Sequence, residues 1–211
     1  MGTGGWLSPE RAREEGQPPA CPHSPWPLKI SEIALGTSAI LADGSLRLRP
    51  ICLPDDIALA LPWYSDPEVL LNSEGPGTRP YDALLVEKMY RRIAAQGELY
   101  IIEVSASWGW RDGGACPGGE AWSAIGDAAL LADALPLVIG DPAWRGRGLG
   151  KRVLQLLIKR ARALSWDRVR VKEVYAHNHR AQKLFQGLGF QATRQGGTRL
   201  GEGSWAYDLL L

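Results

Sequence analysis

The run Asp141-Pro-Ala-Trp-Arg-Gly-Arg-Gly-Leu-Gly-Lys151 constrains the fold more than any other stretch of the chain. It follows the apolar segment Leu135-Pro-Leu-Val-Ile139. It leads into Leu149, Val153, Leu156, Leu157, Ala161 and Leu164, apolar positions at helical spacing. The order is strand, glycine-rich turn, helix. Glycines at 146, 148 and 150 let the main chain approach a ligand and aim free N–H groups outward. The positive end of the helix dipole then favours an anion, most often phosphate. Arg145, Arg147 and Lys151 add charge in the same place. The alternative is a glycine-rich turn that caps an ordinary helix.

Two common phosphate loops do not fit. A Walker loop needs a hydroxyl residue after its lysine, and Arg152 stands there. A dinucleotide fingerprint needs Gly-x-Gly-x-x-Gly, whereas the spacing here is Gly-x-Gly-x-Gly, and the next acidic residue, Asp167, begins a strand instead of ending one. Arg145, Gly148 and Gly150 do satisfy Arg/Gln-x-x-Gly-x-Gly/Ala. Further on, Asn178-His-Arg-Ala181-Gln-Lys-Leu184-Phe185-Gln-Gly-Leu-Gly189-Phe190 reads as a capped helix stopped by glycine. Ala181, Leu184, Phe185 and Leu188 share one face of it. In order and spacing the two segments resemble the GNAT superfamily of N-acetyltransferases, over roughly residues 135 to 190.

The resemblance implies a mixed α/β (α+β) fold of GNAT type. Its central sheet is mixed and mostly antiparallel, flanked by helices and splayed at a cofactor cleft. The implied cosubstrate is acetyl-coenzyme A. Its diphosphate would lie on Arg145, Gly146, Arg147, Gly148, Leu149, Gly150 and Lys151. Its thioester would lie on the backbone of Val138, Ile139 and Gly140, with Asn178 and Phe185 on the far side of the cleft. The acceptor amine would attack the thioester directly, with no protein nucleophile. Asp141, ending the thioester strand, is the first candidate to accept the amine's proton, and its competing role is a turn or cap. Glu74 is the second candidate, and Asp127 and Asp133 could line an acidic acceptor pocket. Many family members have Tyr where this chain has Phe185, a hydroxyl thought to protonate the departing thiolate. Tyr175 or solvent would have to take that part.

Composition bounds the partners. Between Arg145 and Lys183 stand 12 basic residues and two acidic ones, which leaves the rest of a +1 chain at −9. A basic half suits coenzyme A phosphates and an acidic remainder suits a cationic amine. The near-neutral balance, with no aromatics interleaved in the basic run, argues against nucleic acid. No apolar run reaches membrane-spanning length, so no membrane is expected. Cys21, Cys52 and Cys116 are scattered and odd in number, which argues against a disulfide framework and for a cytoplasmic protein. His23, His177 and His179 lack partners at metal-ligand spacing, so no metal is expected.

The remaining chain supplies a scaffold. Residues 1–27 read as a flexible arm and 28–211 as a single acetyltransferase domain. Strands are expected at 46–50, 98–104, 122–131, 135–140, 169–175 and in two runs after 191. Helices are expected from 54 to about 64, from 82 to 95 with Leu85, Met89 and Ile93 inward, after the glycine loop and after Asn178. Residues 72–80 read as a loop.

Trp63-Tyr64-Ser-Asp-Pro-Glu68 resembles the branch holding aminoglycoside 6'-N-acetyltransferases and ribosomal-protein N-terminal acetyltransferases. A small-molecule or peptide amine is therefore the expected substrate. Trp108 and Trp110 could form a lid or a homodimer contact. A catalytically silent coenzyme A-binding module and a nucleic-acid-associated protein are the competing function classes.

Overall fold

The computed structural model describes residues 39–106, 121–197 and 203–211. The expectations for residues 1–38, for Trp108 and Trp110, and for Cys21 and Cys116 fall outside them. The elements run β1 (Leu41–Asp43), β2 (Leu46–Pro50), α1 (Ile57–Ala60), α2 (Pro67–Ser73), α3 (Ala83–Ala94), β3 (Gly97–Ser105), β4 (Trp122–Leu131) and β5 (Leu137–Ile139). Then follow α4 (Leu149–Ala163), β6 (Arg168–Tyr175), α5 (His179–Gln186), β7 (Gln191–Gly197) and β8 (Gly203–Leu210). Short 3-10 turns lie at Trp63–Ser65 and Pro142–Trp144.

The strands form two antiparallel sheets, β1-β2-β3-β4-β5 and β6-β8-β7. This matters for the site. β5 is the edge of one sheet and β6 the edge of the other, with the Pro142–Trp144 turn and α4 between them in the chain. An edge strand carries main-chain groups that its own sheet leaves unpaired.

The large sheet is covered on both faces, so strand alternation sorts residues between two cores. Leu46, Leu48, Tyr100, Ile102, Val104 and Leu130 join α4 and the small sheet's Val169, Val171, Phe190 and Tyr207. Leu99, Ile101, Ala129 and Leu131 join Trp63, Tyr64, Val69, Leu70, Val86, Met89 and Tyr90.

Four sequence expectations need correction. Residues 67–73 form a helix: Asp66 accepts from Glu68 N and Pro67 occupies the first turn, a strong helix start. On α3 the buried residues are Val86, Met89 and Tyr90, whereas Leu85 is 42% exposed: the inward face includes Tyr90, whose hydroxyl reaches Asp127 on the sheet. Leu164 lies past the end of α4 and is exposed. Cys52 also takes part in a disulfide, contrary to the expectation of unlinked cysteines.

Alternation in Leu46-Arg-Leu-Arg49 suggests outward arginines, yet helices cover that face. Arg49 is 2% exposed and binds Asp56 with both terminal nitrogens, at 2.8 and 2.9 Å. Its Nε reaches Glu103 at 3.0 Å, and Arg47 reaches the same carboxylate at 2.6 Å. The web fastens the start of α1 to β2 and β3. Removing one partner of a buried pair strands the other charge, at a cost of about 3–5 kcal/mol. Asp56→Ala should lower the unfolding free energy by about that much in urea titrations. A loss under about 1 kcal/mol would mean the web is not structural.

Candidate active site

α4 begins without a side-chain cap. Gly148 sits at the N-cap with φ +76°, Gly146 has φ +74°, and no side chain caps the helix. The opening N–H groups of a helix have no partner in a preceding turn, so these amides can serve a ligand. A Cβ built at Gly146 or Gly148 meets nothing within 4 Å. Among the described residues, nothing fills the space beside these two glycines. Gly150 is different: a Cβ there would press on Leu184 and Leu137, at 3.2 and 3.4 Å. Its smallness lets α4 seat against β5 and α5.

The register of β5 sorts its main chain. Leu131 N donates to Ala134 O and Ala129 N to Pro136 O. Antiparallel pairs alternate, so Asp127 and Val138, aligned in register, form the next hydrogen-bonded pair. The polar groups of Val138 therefore point to β4, whereas Leu137 and Ile139 present theirs to the open edge. Of the three residues expected at the thioester, Ile139 has its N–H on that edge. Gly140 serves by its missing side chain: a Cβ would overlap the Trp63 ring, which closes the end of the strand.

Arg145 is placed differently from the expectation of a cation aimed at the ligand. Its Nε donates to Ile139 O at 2.9 Å, and one terminal nitrogen donates to both Gly140 O and Asp66, at 2.7 and 2.6 Å. The other donates to Glu68 at 2.9 Å. Burial pushes the Asp66 carboxyl up, but the Arg145 hydrogen bond and the α2 amides outweigh it and hold the group below its usual range. Arg147 turns back to Ala143 O at 2.9 Å and lies over Trp144. Lys151 stands exposed beside the amides.

On the far side, Asn178 Oδ1 accepts from Ala181 N at 3.0 Å, the expected cap of α5. Its amide also donates to Asn72 O at 3.4 Å, and His177 Nε2 lies 3.2 Å from Leu71 O. Arg180 meets Glu68 at 3.2 Å. α2 is thus tied both to the glycine turn and to the start of α5. Tyr175 is 9% exposed and stacks on His177, with ring centres 5.3 Å apart. Phe185 does not line an open surface: it is 5% exposed and packs between Phe190 and Tyr207.

The acidic candidates separate. Asp141 accepts from Ala143 N at 2.9 Å and caps the turn, the role that competed with catalysis. Asp133 pairs with Lys172. Glu74 ends α2 half-buried: burial raises its carboxyl above the usual range, while a hydrogen bond from Tyr81 and the charge of Arg92 oppose the rise. Asp127 is 2% exposed and carries the hydroxyls of Tyr64 and Tyr90, a depth that Ala-Ile-Gly-Asp-Ala-Ala does not advertise. Among the described residues, no three His, Cys, Asp or Glu could hold a metal, and no helix is long and apolar enough to cross a membrane.

Residues 134–190 match the model of the acetyltransferase (GNAT) family. The chain carries a GNAT-like segment. No curated protein matches the chain in sequence. A solved GNAT-family probable acetyltransferase from Chromobacterium violaceum superposes with a TM-score of 0.61 at 18% identity, over 92% of this chain and 97% of its own. Aminoglycoside acetyltransferase AAC(6')-Ib bound to coenzyme A gives 0.60 at 14%, over 79% and 95%. Spermidine N-acetyltransferase from Vibrio cholerae, with coenzyme A and spermine, gives 0.60 at 13%, over 80% and 96%. At such identities the likeness is one of fold, and the GNAT segment spans the uncapped helix and the open edge of β5.

Gly148→Val would force a branched side chain into the left-handed region, where L-residues lose roughly 1–2 kcal/mol, and aim it into the open turn. Binding of acetyl-coenzyme A, followed by calorimetry, should weaken at least about tenfold, with unfolding free energy reduced by no more than that strain. Unchanged affinity would remove the turn from the ligand site.

Proposed function

We propose that the protein is an acetyl-coenzyme A-dependent N-acetyltransferase acting on a primary amine, with a small cationic amine as the favoured acceptor. One observation carries this reading: an unpaired strand edge at β5 and the uncapped start of α4 follow one another within one GNAT-like segment. The residues fit the cosubstrate. The amides of Gly148, Leu149 and Gly150, with Lys151 beside them, suit a diphosphate, and the open Cβ positions of Gly146 and Gly148 leave room for it. When bound, acetyl-coenzyme A supplies an activated acyl group whose C–S bond breaks as the new C–N bond forms.

The chain's own residues do the rest. The Ile139 N–H is free to donate to the acyl oxygen as that atom gains charge. Arg145 fixes this donor by holding the Ile139 and Gly140 carbonyls in place. Glu74 takes the proton that an ammonium must lose before its nitrogen can attack. Half-burial makes it a better base than an exposed carboxylate. Tyr175 stands at the end of β6 to return a proton to the departing sulfur.

Two of the structural relatives named above are an aminoglycoside and a spermidine acetyltransferase, both of which take polycationic amines. The half-buried carboxylate of Glu74, in a chain whose residues outside 145–183 sum to −9, favours a cationic amine here as well.

Thiol release from acetyl-coenzyme A, measured across aminoglycosides, polyamines and short peptides, tests the proposal. Turnover with an amine is expected, and Glu74→Gln should reduce kcat/KM by about 10²-fold or more. Tight coenzyme A binding with no turnover on any amine would favour a silent binding module.

A further inference from the structure

Asp127 lies deeper than any acceptor can reach, yet it is built like a working group. It stands on β4 beneath α3, and among the described residues it makes no salt bridge. Tyr64 donates to both its oxygens at 3.2 Å and Tyr90 to one at 2.9 Å. An isolated buried carboxylate is costly, and a pair of phenols offsets only part of that cost. The Tyr64 ring stacks on Tyr81, centre to centre 5.7 Å with the planes 11° apart. The Tyr81 hydroxyl in turn hydrogen-bonds Glu74. A continuous line, Asp127–Tyr64–Tyr81–Glu74, leads from the sheet interior to the half-buried end of α2.

We propose that Asp127 is a positioning residue for the proton transfer: it acts through Glu74, which feels the charge of Asp127 across the Tyr64–Tyr81 stack. This rests on Glu74 being the proton acceptor. With Asp127 ionised, its charge strengthens Glu74 as a base toward an ammonium. With Asp127 neutral, Glu74 weakens.

The surroundings fix the direction of the pH effect. Burial raises the Asp127 carboxyl to about 7; hydrogen bonds from Tyr90 and Tyr64 lower it, and the charge of Glu74 raises it. From the other elements, Asp56 faces Tyr90 and is itself neutralised by Arg49, which Glu103 shares. Arg92 acts on Glu74, and Tyr175 acts on Tyr81 from β6. β5 presents only Val138 opposite Asp127. Activity should therefore rise with pH through about 7, as Asp127 loses its proton. The two ionisations belong to the pair, as coupled titrations do.

The test is kcat/KM against pH for one amine, with acetyl-coenzyme A affinity and unfolding measured alongside. Asp127→Asn should fold, bind acetyl-coenzyme A normally, and keep activity about tenfold below the parent at alkaline pH, with the inflection near 7 gone. Tyr90→Phe removes a hydrogen bond that favours the ionised form, so the inflection should move upward. An unmoved inflection in either variant would make Asp127 purely structural and overturn the proposal. Loss of all activity in a folded Asp127→Asn would overturn it by making Asp127 the acceptor itself. Should Asp127→Asn fail to fold, Tyr90→Phe decides. Full activity in Glu74→Gln would sink the underlying reading instead, and the proposal with it.

Discussion

Arg145 is where strand, turn and helix are fixed to one another. Its guanidinium meets two carbonyls at the end of β5 and two carboxylates at the start of α2, all within 2.9 Å. A planar fork can hold four acceptors in fixed directions, which a lysine ammonium cannot. The same bonds satisfy the Ile139 and Gly140 carbonyls and leave the Ile139 N–H on the open edge. Because Asp66 and Glu68 neutralise Arg145, a bound diphosphate would meet main-chain amides and Lys151 in place of this side chain. The motif's arginine builds the site from behind.

The gap itself follows from sheet topology. β5 has only three residues and β6 belongs to another sheet, so the two edges do not pair. α4 crosses between them, held close to β5 by Gly150. α2 is tied to both flanks, through Glu68 to Arg145 and Arg180, and through the carbonyls of Leu71 and Asn72 to His177 and Asn178. α2 thus bridges the glycine turn and the start of α5, with Trp63 packed on Gly140 beside them.

What sequence reading reaches is local. The glycine turn, the cap at Asn178 and the stripe of α4 are set by neighbours a few residues apart, and those patterns appear in the structure at the expected positions, Leu164 beyond the end of α4 excepted. The cap at Asp66-Pro67 was equally local, but the polar Asn72-Ser73 after a short apolar run concealed α2. Distant pairings were not legible. Arg49 looks like a solvent-facing strand residue until α1 covers it. Asp127 finds its hydroxyls 37 and 63 positions away, and nothing near it in the chain marks those partners. A family position assigns Phe185 to the cleft, whereas the ring's surroundings in the structure, Phe190 and Tyr207, are those of a core residue.

The central claim is that amides opening α4 and the outward N–H of β5 receive a coenzyme A thioester. Backbone hydrogen exchange, measured residue by residue with and without coenzyme A, addresses both ends at once. Slowed exchange at Gly148, Leu149 and Gly150 together with Ile139, and little change at Val138, is the predicted result. Protection absent from those amides at saturating coenzyme A would contradict the account.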